Sequence, residues 1–360
     1  LTAEGVLTAT SFAGSGASLT GISSVTTLGG LTDVSMDITN FVDGLLIQTE
    51  TNGSAPTTGT LDNATGNIGI GKSTFEALTS GDYNVAIGYN ALPVHTTGSG
   101  NVAIGKNAML VSDTSGNCVA VGQAALGANT SGTGNTGVGS SALGANTTAI
   151  NNTAVGYLSA YNTTTGNNNT SIGYNSLGLN TEGTYCVAVG GQAMYNNTTA
   201  HNNVAVGYQS SLANTEGFSN TAIGNHTFKA NTTGDNNTAC GYASLLNSTG
   251  NKNTVLGQGA GDNITSGSNN LVIGAAIDVQ TATSDDQINI ADAFKMQSNG
   301  DILLRPNAEN QNTMIYAANR VCSWYGDSAN WIHQMYTGGS SGEQYFIDFR
   351  LSNNTQVGYI

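Results

Sequence analysis

Gly66-Asn67-Ile68-Gly69-Ile70-Gly71-Lys72-Ser73 has the spacing of a phosphate-binding loop, whose backbone N–H groups and lysine would cradle a nucleotide. Such a loop needs a strand before it and a helix after it. Here the segment is in phase with Gly105-Lys106 and reads as the first copy of a repeat. Gly338-Gly339-Ser340-Ser341-Gly342 matches a nucleophile elbow, but no His follows position 333 to act as its base. The four His (95, 201, 226 and 333) are too scattered for metal-ligand spacing. No in-phase carboxylate pair stands out for glycan hydrolysis. The sequence therefore argues against an enzyme, with no catalytic residue, no metal and no cofactor expected. An aromatic group near the C-terminus remains. Trp324, Tyr325, Trp331, His333 and Tyr336 are of the types that stack on sugars and anchor interfaces, and they form the receptor-binding candidate. The plainer reading of the same residues is the core of a small cap.

Whatever these residues do, a repeat has to position them. Asn84-Val85-Ala86-Ile87-Gly88 returns as Asn101-Val102-Ala103-Ile104-Gly105 and as Asn152-Thr153-Ala154-Val155-Gly156. The closing glycine recurs at 71, 88, 105, 122, 139, 156, 173, 190, 207, 224, 241, 257 and 274. Eleven of the twelve intervals are 17 residues, and Gly241 to Gly257 is 16. A period this regular is the signature of stacked coils.

Each column has its own chemistry. The residue before the glycine is Ile, Val or Leu in twelve copies and Cys240 in the other. The one before that is Ala, Gly or Ser until Val255 and Val272. Val or Thr precedes it in most copies, and the first column is Asn in eleven copies and Cys in two (Cys118, Cys186). This pattern predicts a short strand in which large residues fill the inside of a coil and the small column faces another chain. The glycine turns the corner, where a residue without Cβ is best tolerated. A second segment follows, as in Ala91-Leu92, Ala142-Leu143 and Ala193-Met194, and then a polar loop such as Asn231-Thr232-Thr233-Gly234. Eleven Asn in phase predict a side-chain ladder along the rod.

The column Asn-(Val/Thr)-Ala-(Ile/Val)-Gly-Tyr-x-(Ala/Ser)-Leu resembles repeats in the fibres of tailed phages, and it is similar to the head repeats of trimeric autotransporter adhesins. The resemblance covers about residues 63–278. It implies an all-β, parallel β-roll or β-solenoid in a parallel homotrimer, which would be a virion structural protein that attaches to a host-surface glycan or protein. Other virion proteins would be its partners and the host cytoplasm its site of assembly. The alternative is the passenger head of a bacterial trimeric adhesin. An ice-binding β-solenoid ranks lower, because the Val/Thr column is mixed.

Composition agrees with a rod. Of 360 residues only 8% are charged, 49 are Gly and 3 are Pro. The net charge of −14 disfavours nucleic acid as a partner, and no apolar run approaches the roughly 18 residues of a membrane span. The start at Leu1, without Met or a signal core, is expected of a fragment or a processed product. Cys118 and Cys186 lie four repeats apart, roughly 19 Å at about 4.8 Å per coil, so all four cysteines are expected to be reduced. Three regions result. Residues 1–62 are a Thr/Ser/Gly-rich intertwined shaft or attachment segment, 63–278 the thirteen-copy array, and 279–360 a β-rich cap or tip. Strands are expected at Gln287–Ile290, Asp301–Leu304 and Tyr345–Phe349.

Overall fold

The computed structural model describes residues 64–292 and 294–296, the strand Leu45–Ile47, and the backbone of further strands on either side. The described residues contain strands and turns but no helix. Thirteen three-residue strands, from Ile68–Ile70 to Leu271–Ile273, stack in parallel as one rung per coil of a β-solenoid. Each residue pairs with its counterpart one period on, for example Val85 with Val102, Ala86 with Ala103 and Ile87 with Ile104. The 16-residue coil keeps this register, with Thr238 opposite Thr254. Its missing residue comes out of the polar loop, where Thr249-Gly250 stands in place of Thr232-Thr233-Gly234.

The stack is longer than the repeat predicts. Leu45–Ile47 adds a parallel rung before it, and Ile288–Ile290 adds one after it. Antiparallel strands then close both ends: Val34–Ser35 pairs with Leu45–Ile47, and Phe294–Met296 pairs with Ile288–Ile290. The antiparallel run continues through Asp301–Leu304, an expected strand, to Gln356–Tyr359. Of the expected Tyr345–Phe349 strand, Asp348 and Phe349 lie on the strand Asp348–Arg350, and residues 345–347 lie outside the described residues. Of the segment 1–62, residues 1–33 and 48–62 lie outside the described residues.

The strand faces the opposite way from the sequence expectation. The small column is the interior: Ala86, Ala103, Ala120, Ala154, Ala188, Ala205 and Ala222 are fully buried. The β-branched residues on either side point outward, and Val155, Ile172 and Ile223 remain 37–42% exposed. Cys240, expected in the core, is exposed with them. Strand alternation fixes which residues share a face but not which face is inside. The second segment settles it. Phe75, Leu92, Met109, Leu126, Leu143, Leu177, Met194, Phe228 and Leu245, four past the glycine, are all fully buried and fill the coil. A coil this narrow has room opposite them only for a methyl group.

That filling requires unusual backbone. Leu92, Leu126, Leu143 and Leu177 have φ of 47–51°, and the residue two before each is also left-handed, as at Asn90 and Asn175. Each such residue costs roughly 1–2 kcal/mol in isolation. The turn is nonetheless held because its N–H groups bond to neighbouring coils: Leu158 to the Ser140 carbonyl at 3.1 Å and Ala160 to that of Ser176 at 2.9 Å. The corner glycine is stricter. Gly156 has φ +131°, and a Cβ there would lie 2.7 Å from the Gly173 carbonyl oxygen.

The buried asparagines form the expected ladder, with direct amide-to-amide bonds at Asn101–Asn84, Asn237–Asn220 and Asn270–Asn253 and main-chain bonds throughout. Asn67 Oδ1 accepts from the Asn84 backbone N–H at 2.8 Å, while Asn84 Nδ2 donates to the Gly98 carbonyl at 3.0 Å. The pattern repeats along the rod and reaches Gln287, whose N–H donates to Asn270 Oδ1 at 2.9 Å. At Cys118 the thiol donates to the Gly132 carbonyl in the amide's place. Asn135 N–H then meets sulfur, a weaker acceptor than the amide oxygen it replaces. Cys118 and Cys186 are free and buried, and burial pushes the Cys186 thiol up to about 11.

A second ladder, not anticipated from the sequence, runs seven residues past the glycine. Asn146 donates to Asn129 Oδ1 at 2.6 Å, Asn197 to Asn180 at 2.8 Å and Asn231 to Asn214 at 2.7 Å. Thr163 interrupts it. Its hydroxyl and Asn146 Oδ1 are both buried without partners. Thr163→Asn should reconnect Asn146 to Asn180 and recover about 1–3 kcal/mol per chain. A thermal or denaturant melt at or below that of the unsubstituted protein would show that the gap is not a defect.

Candidate functional site

The rod carries three kinds of outward chemistry. The first is the strand face. Its two outward columns run side by side along the stack, Val, Thr or Ile in one and Ile, Val or Leu in the other. Ile68, Ile70, Ile104, Ile172, Ile223 and Leu256 are all among the exposed apolar side chains. The parallel register puts every one of them on the same side. The result is a strip with one column of Ile, Val and Leu, broken only by Cys240, beside a mixed column of mainly Val and Thr, and it is larger than the scattered exposed residues a soluble surface ordinarily carries.

The second is aromatic. Tyr157 is 54% exposed, as its place after the corner predicts, and it stacks on Tyr174 with ring centroids 5.9 Å apart. Other tyrosines serve the stack itself. The Tyr161 ring covers Gly144 and the Tyr195 ring covers Gly178, each so closely that a Cβ on the glycine would meet the ring at 2.7 Å. A tyrosine one period after a glycine is therefore a coil-to-coil contact.

The third is the C-terminal group. Trp324 and Tyr325 lie on the strand Val321–Tyr325, and His333 and Tyr336 on the neighbouring strand Ile332–Tyr336. Antiparallel pairing puts Trp324 opposite His333 and Val321 opposite Tyr336. Trp331 lies outside the described residues. Four of the five expected residues thus share one two-strand unit.

The phosphate-loop match resolves as a repeat element. Ile68–Ile70, within the phosphate-loop match, is a strand, and turns rather than a helix follow it. Among the described residues no group of three His, Cys, Asp or Glu is arranged to hold a metal, and no helix is long and apolar enough to cross a membrane. The Gly338–Gly342 match lies outside the described residues. Comparison with family models, curated proteins and solved structures finds no match.

Besides the two buried thiols, one histidine sits inside the rod. His95 occupies the column of the second ladder and is fully buried. Its Nε2 donates to the Gly98 carbonyl at 2.7 Å, while Nδ1 has no partner. Burial lowers its pKa from 6.5, outweighing the Gly98 and Ser112 carbonyls and Asp113, which pull the other way. The unfolded chain therefore takes up this proton before the folded chain does. Stability is full above 6.5 and is lost as pH falls through the lowered folded value. Melts between pH 7 and 5 should show this loss, and His95→Asn, which puts an amide in the column, should flatten it. An identical slope in both proteins would place the acid sensitivity elsewhere.

Proposed function

We propose that the chain is a structural fibre of a phage virion, assembled as a parallel homotrimer and used in host attachment. The observation that carries this reading is the apolar strip on the strand face. A single chain leaves it uncovered along about 60 Å, taking thirteen rungs at about 4.8 Å. Three copies around a common axis would bury it without leaving an edge. The repeat column's likeness to phage-fibre repeats supports the same reading, and so does the surface chemistry, in which Asn and Thr rather than charge supply the polarity. A trimer would carry −42, three times −14, which keeps neighbouring fibres apart. The rod would hold a recognition end away from the virion, and threefold display would add avidity.

One observation favours a second reading. Thr136, Thr153 and Thr170 stand in register beside Val138, Val155 and Ile172 on the outward face, a regular Thr-x-Val or Thr-x-Ile array of the kind an ice-binding solenoid would present. That reading needs the face bare, whereas the fibre reading needs it covered.

Sedimentation separates the two. The fibre reading expects a mass near 109.5 kDa, three times 36.5 kDa, and no thermal hysteresis. Ile172→Asp combined with Ile223→Asp, both outside the coil core, should give a folded monomer or an aggregate in place of the trimer. A wild-type monomer at 36.5 kDa with thermal hysteresis would favour ice binding instead. Antibody labelling of virions in the electron microscope tests the placement, and unlabelled virions would contradict it.

A further inference from the structure

We propose that the cleft across the Gly207, Gly224 and Gly241 coils binds an acidic saccharide. The cleft has a volume of about 540 Å³ and is open along one side. Small-molecule sites commonly fall at about 300–1,000 Å³. Leu212 and Leu246 give it aliphatic walls, and His226, Lys229, Tyr242 and Asn247 supply its chemistry.

Each of these groups has a direction. The His226 ring stands edge-on between Tyr208 and Tyr242, with centroids at 5.4 and 6.0 Å. Its Nδ1 is buried without a partner. A proton on Nε2 would leave a lone pair rather than an N–H unpaired at Nδ1. Nε2 has no hydrogen-bond partner among the described residues, and His226 is one of the residues that line the cleft. Lys229 forms no ion pair among the described residues, although the chain is strongly acidic. Asn247 commits its Nδ2 to the Asp262 carbonyl at 2.9 Å, which leaves Oδ1 to accept. The 55% exposed Tyr242 ring offers a platform for the C–H face of a sugar. An ammonium and an imidazole N–H face a carboxylate, and an amide oxygen takes a hydroxyl. Together they fit a uronic acid better than a neutral sugar or a bare anion.

The combination occurs once. His is found two past the corner glycine only at 226, and Lys five past it only at 229. A rod of repeated coils therefore contains one site that does not recur, away from the C-terminal aromatics. As a recognition site for the host it rests on the fibre reading, but the binding itself does not.

The repeat supplies its own neutral replacements. Tyr242→Ser, His226→Gln and Lys229→Leu each install a residue that another coil carries at the same place, as at Ser140, Gln209 and Leu212. The His226 imidazole resonances of the purified full chain should shift saturably on titration with glucuronic or galacturonic acid, and not with glucose. Tyr242→Ser and Lys229→Leu should weaken this binding at least tenfold at an unchanged melting temperature. No saturable shift with either uronic acid overturns the proposal, and so does a cleft that takes benzoate as readily. Unlabelled virions would sink the fibre reading and leave the titration standing. Uronic acid binding lost in the variants with host adsorption unchanged would remove the recognition role alone.

Discussion

Everything in this rod depends on one constraint: a buried polar group in one coil is satisfied by the next coil, 17 residues away. The asparagine before each strand shows it most clearly. Its amide oxygen accepts from the backbone of the following coil, and its amide nitrogen donates to a carbonyl 14 residues on. The first bond spans a full period, so a lone coil would bury the amide oxygen unpaired. The backbone repeats the theme, since even the turn residues bond to the coils above and below. Register is thus fixed by unsatisfied polarity more than by greasy contact, and strained left-handed turns survive because their N–H groups are spoken for on both sides.

The same constraint explains what the sequence revealed and what it hid. The period, the glycine corner and the first asparagine ladder were legible because each needs one residue type at one spacing. The side of the strand that faces inward was not. Ala154 between Thr153 and Val155 alternates equally well in either sense, and β-branched residues suggest a core by habit. The deciding residues, such as Leu143 and Leu177, sit in turns with positive φ, where hydrophobic periodicity gives no signal. The second asparagine ladder was hidden because Leu78, His95, Ser112 and Thr163 interrupt its column.

Function is the reverse case. Consensus columns describe what the coils share, and a site lies where a coil departs from the rest. Tyr161 and Tyr195 cover glycines of the preceding coil. His226 and Lys229 look like noise, yet they line a cleft with Tyr242. The outward strip of Ile, Val and Thr belongs to neither class. It repeats in every coil, and its place outside the coil leaves the core intact without it.

Removing part of one coil tests the stacking constraint most directly. Deleting residues 154–170 takes out one whole period and joins Thr153 to Ser171, so every asparagine still meets its counterpart. That protein should fold with the melting behaviour of the parent and a rod shorter by about 5 Å. Deleting eight residues from the same point should leave the ladders out of phase and the chain unassembled. Equal folding of the two deletions, by circular dichroism and small-angle scattering, would contradict a rod held in register from coil to coil.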